Sequence, residues 1–109
     1  MNKAIAERVL RRLEDNDLPF KFNMANCDTC IMAAVFLEKG ETDQPHSNLA
    51  SHILGIDEDT GRELFLPKYV KLYSEISIKE AAKTLASLIK TGEVVWADHC
   101  RKSPEKDYY

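Results

Sequence analysis

No hydrophobic run in this sequence is long enough to cross a bilayer; the longest, Ile31 to Leu37, is far too short. The opening residues, M-N-K-A-I-A-E-R-V-L-R-R, carry charges throughout and lack the apolar segment of a secretory signal. Cysteine is scarce and odd in number. Cys27, Cys30 and Cys100 cannot all pair within one molecule, which speaks against a secreted disulfide scaffold. A basic excess is missing too. With 15 Lys and Arg against 18 Asp and Glu, the net charge is −3, so phosphate-driven nucleic-acid binding is disfavoured unless positive charge gathers on one face. There is no nucleophile elbow, phosphate-binding loop, dinucleotide fingerprint or H-E-x-x-H. Together these absences predict a reduced, cytoplasmic protein that is neither membrane-bound nor an enzyme.

What is present is an ordinary globular balance: 109 residues, 44% hydrophobic and 30% charged. A chain of this size buries roughly two-thirds of its unfolded surface, enough for one core. The expected organisation is a single domain over residues 1–100 and a polar, frayed tail over 101–109, R-K-S-P-E-K-D-Y-Y.

Hydrophobic periodicity predicts about five helices. Ile5, Val9, Leu10 and Leu13 make one stripe of an amphipathic helix over 2–15. A second helix, capped by Asn26 or Asp28, runs to Lys39 and stops at Gly40. It is apolar on every side from Ile31 to Leu37, which puts it at the centre of the domain. Ser47 is the expected cap of a short helix from Asn48 to Leu54, ending at Gly55. Asp57 caps another that runs through Phe65, with Leu64 and Phe65 turned inward. Tyr69 to Tyr73 is open between an irregular turn and helix. Ser77-Ile-Lys-Glu80 is a capping box, and Ile78, Ala81, Ala82, Leu85, Ala86, Leu88 and Ile89 then form a full core-facing stripe up to Gly92. Phe20–Met24 and Val94–Ala97 are the strand candidates. Since isolated strands leave backbone groups open, they are expected to pair as a small two-stranded β element. The predicted fold class is thus mainly α with that β element.

Chemistry has few places to reside. Cys27-Asp-Thr-Cys30 is half of a zinc knuckle, and the other half would have to come from His99 and Cys100, adjacent residues that point apart in an extended chain. The same C-x-x-C at a helix start would suit a dithiol redox site, although the alternating strands and helices of thioredoxin-like folds are missing. The simplest expectation is that both thiols pack as small side chains at the mouth of the second helix. Asp57-Glu-Asp59-Thr-Gly61 begins like a calcium loop, but its twelfth position is Lys68, so a helix cap is expected instead. Residues 77–85 are similar to the first helix of many helix-turn-helix domains. A winged-helix DNA-binding arrangement using Lys79, Lys83 and Lys90 is the corresponding alternative.

The order of motifs resembles a group of small uncharacterised bacterial and phage proteins. The likeness rests on N-M-A-N-C-D-T-C-I-M-A-A from Asn23, I-L-G-I from Ile53, L-F-L-P-K-Y from Leu64 and the helix from Ser77, covering about residues 20–91. The sequence departs from it at Asp28 and Ala34, where the group tends to have glycine. The resemblance implies a shared fold and transfers no activity. The functional expectation is a small interaction or regulatory domain that binds a protein partner or itself, without a cofactor. Tyr69, Tyr73, Trp96 and Tyr108 are its candidate contact residues, with core packing the competing role for Trp96.

Overall fold

The computed structural model describes residues 1–67 and 72–96. Five α-helices make up the regular structure of these residues: α1 Lys3–Asp15, α2 Ile31–Lys39, α3 Ser47–Leu54, α4 Glu58–Phe65 and α5 Ile78–Thr91. They surround one core, in which α1 packs against α5, α2 and α3, and α3 against α2 and α4.

Each helix is bounded by local chemistry. In α1 the side chain of Asn2 accepts the Ile5 N–H, and Asn16 closes the other end in the left-handed conformation that Asn tolerates. The α5 capping box is complete: Ser77 Oγ accepts the Glu80 N–H at 3.1 Å, and Glu80 Oε1 accepts the Ser77 N–H at 2.8 Å. Asp57 caps α4 by accepting the Thr60 N–H, and the Thr60 side chain first, then that N–H, hold its carboxyl below the usual range. Ile31 through Phe36 of α2 are all buried, as a helix apolar on every side requires, while Leu37 reaches the surface.

Three local expectations are corrected. First, α2 begins at Ile31 with Cys30 as its N-cap and no side-chain capping bond, because Asn26 and its neighbours are engaged in the preceding loop. Second, His46 rather than Ser47 caps α3, its Nδ1 accepting the Leu49 N–H. Third, no strand exists among the described residues, so the two-stranded β element is absent there. The reason lies in where the two segments are anchored. Trp96 is buried and its Nε1–H donates to the carbonyl of Glu63 at 2.9 Å, which draws 94–96 onto α4. Phe20 and Phe22 instead face the segment that leads into α5. Of the open segment Tyr69–Tyr73, residues 69–71 lie outside the described residues, and Tyr73 begins a single 3₁₀ turn, Tyr73–Glu75. The C-terminal tail, 101–109, also lies outside them.

Candidate functional site

Two places combine exposure with built geometry: the cysteine loop before α2 and a groove between residues 16–22 and 74–78.

The cysteine loop is clasped at its ends. Asn23 N–H donates to the Thr29 carbonyl at 2.9 Å, and Thr29 Oγ1 donates back to the Asn23 carbonyl at 2.9 Å. Inside the clasp, Asn23 and Asn26 turn their own side chains onto the N–H groups of Ala25 and Asp28, at 2.8 and 2.9 Å. Such local bonds compete with helix formation and explain why α2 starts late. Cys27 is left exposed, while Cys30 is 1% exposed at the helix mouth. The Cys30 thiol donates to the Cys27 carbonyl, with Sγ 3.6 Å from the oxygen. Burial pushes the Cys30 thiol up from its ordinary value, partly opposed by the N–H groups of Ala33 and Met32 at the start of α2.

A residue seventeen positions later completes this loop. Gln44 Nε2 lies 2.6 Å from Asp28 Oδ1 and 3.2 Å from Cys27 Sγ. The α2 stop at Gly40, whose φ of +77° suits glycine, reverses the chain between the two. Among the described residues no group of three or more His, Cys, Asp or Glu is arranged to hold a metal ion. His99 and Cys100, the proposed second half of a zinc site, lie outside the described residues.

The groove, about 590 Å³ and open to solvent, is lined by Leu18, Phe20, Phe22, Ile76 and Ile78, with Asn16, Lys21, Ser74, Glu75 and Ser77 completing its walls. Ile76 is buried and the other four apolar residues are half-buried. Along 19–24 burial alternates, with Pro19, Lys21 and Asn23 exposed and Phe20, Phe22 and Met24 turned in. That period of two marks an extended chain. The alternation F-K-F-N-M was the signal available in the sequence; pairing it with a strand concealed that both phenylalanines border a cleft.

Of the aromatic contact candidates, Tyr73 is half-buried and donates its hydroxyl to the Pro67 carbonyl at 2.6 Å, and desolvation pushes its pKa above the ordinary phenol value. Trp96 is a core residue. Tyr69 and Tyr108 lie outside the described residues. No helix follows α5 among the described residues, so no recognition helix accompanies the helix-turn-helix likeness there. None of the described helices is long and apolar enough to cross a membrane. Comparison of the chain with protein families, curated proteins and solved structures gives no match.

Proposed function

We propose that this chain is a small cytoplasmic protein-interaction domain without catalytic activity, and that its contact surface is the groove between residues 16–22 and 74–78. The observation that carries this reading is the composition of that groove: an apolar floor with a polar rim, the anatomy of a recognition surface. Its occupant is a short segment of a partner protein bearing alternate apolar side chains and a flanking Lys or Arg. Charge bears on that choice. Glu75 is part of the wall and Asp15 and Asp17 flank Asn16, against Lys21 in the lining, Lys79 beside Ile78, and Arg12, which lies 3.8 Å from Asp17. Such acid on a rim steers and orients a basic segment more than it adds affinity.

The test is a selection of displayed random peptides on the immobilised full chain, followed by titration of the best binder. A consensus of alternating apolar residues with a basic flank is expected, with affinity falling as salt rises. Phe20→Asp and Ile78→Asp, each checked for unchanged helical circular dichroism, should abolish binding. Peptides that bind both variants as tightly as the parent chain would overturn the assignment of this surface.

A further inference from the structure

We propose that Cys27 and Cys30 form a reversible dithiol–disulfide site, a chemistry separate from peptide binding in the groove. The two sulfurs are placed asymmetrically: Cys27 is exposed to solvent, and Cys30 is buried three residues later with its thiol turned back onto residue 27. The clasp between Asn23 and Thr29 holds the two ends of the loop while leaving Cys27 exposed between them. Gln44 supplies a second, independent feature: its side-chain N–H donates to Cys27 Sγ at 3.2 Å and so fixes the position of the exposed sulfur. The same amide donates to Asp28 Oδ1 at 2.6 Å, and that oxygen also accepts from the Cys27 thiol at 3.9 Å, so Gln44, Asp28 and Cys27 form one cluster at the loop surface.

The oxidant is a low-molecular-weight disulfide of the glutathione class. The Cys27 thiolate attacks one of its sulfurs, forming a mixed disulfide and releasing one glutathione thiolate, which takes up a proton. Cys30, on losing its own proton, attacks the Cys27 sulfur. The second glutathione leaves as a thiol and the Cys27–Cys30 bond is formed. The protein has lost two hydrogens and two electrons, and the small disulfide has been reduced to two thiols. Burial keeps Cys30 protonated and sheltered until Cys27 has been modified, so the exposed sulfur reacts first and the buried one resolves. A disulfide here would tie the loop to the residue that caps α2.

The experiment uses the full chain carrying Cys100→Ser, which removes the third thiol. Reduced protein is equilibrated with mixtures of oxidised and reduced glutathione, quenched with acid, and read by intact mass and peptide mapping. A species two hydrogens lighter, with Cys27 linked to Cys30, is expected. With Cys30→Ser added, one glutathione should remain on Cys27. In the reduced native protein, iodoacetamide should modify Cys27 on the order of ten times faster than Cys30. A lasting glutathione adduct on Cys27 when both cysteines are present would overturn the proposal. So would a native Cys27 that does not react, or linkage that appears only after denaturation.

Discussion

The seam between α3 and α4 and the groove beside α5 are built on opposite packing principles. Gly61 stands inside α4, where alanine would ordinarily serve a helix better by about 1 kcal/mol. A methyl group at that position would overlap Ser51 Oγ on α3 and lie 2.9 Å from the Ser51 Cβ. Only hydrogen fits, and the two helices close to a distance that leaves the Ser51 hydroxyl buried without a hydrogen-bond partner. Along the groove, by contrast, Leu18, Phe20, Phe22 and Ile78 keep part of their apolar surface in water. The seam fixes one arrangement of backbones; the groove holds apolar area uncommitted. The difference teaches that this domain closes its apolar surface completely in one region and leaves part of it open to water in another.

Substitutions should separate the two regions by size of effect. Gly61→Ala is expected to be the most damaging, because overpacking outweighs the propensity gain and costs about 1–3 kcal/mol in chemical denaturation. Equal or greater stability in that variant would erase the contrast. Ser77 belongs to the groove wall yet also caps α5, so Ser77→Ala should cost about 1 kcal/mol through the lost capping bond. Away from both regions, Glu38 joins α2 to α1 by accepting from Arg12 Nε at 2.6 Å and Arg8 Nε at 2.7 Å. The bond from Arg12 is the main reason its carboxyl ionises below the ordinary 4.5. A folded value below the unfolded one means the stabilisation is present above that pH and fades as acid protonates the folded form. Solvent around Arg8 holds the gain to under about 1 kcal/mol, so wild type should exceed Glu38→Gln in Tm near neutrality and converge with it in acid. Ser51→Ala should change stability least, or raise it slightly, because it removes a hydroxyl that was buried without a partner. A loss beyond about 1 kcal/mol would mean that the hydroxyl is not an orphan.

Local signals carried the helices that depend on local signals. The α5 capping box and stripe, the Asp57 cap and the glycine stops at Gly40, Gly55 and Gly92 were legible because neighbours in sequence complete them. The start of α2 was not, since Asn26 could equally cap a helix or bond within a loop, and only the clasp to Thr29 decides. Pairing of 20–24 with 94–97 failed for a similar reason. Alternation shows that a chain is extended without saying what it lies against, and the Glu63 carbonyl that holds Trp96 is thirty-three residues away. Gln44 beside Cys27 and Gly61 beside Ser51 are likewise products of the assembled fold, with no motif to announce them.

Trp96 also makes this protein its own optical probe. It is the sole tryptophan, and its indole N–H is bonded to the Glu63 carbonyl of α4. Its fluorescence therefore reports the docking of residues 94–96, while far-UV circular dichroism reports the helices. If the two signals separate along a denaturant titration, the segment after α5 peels away as a unit of its own; if they coincide, it melts with the core.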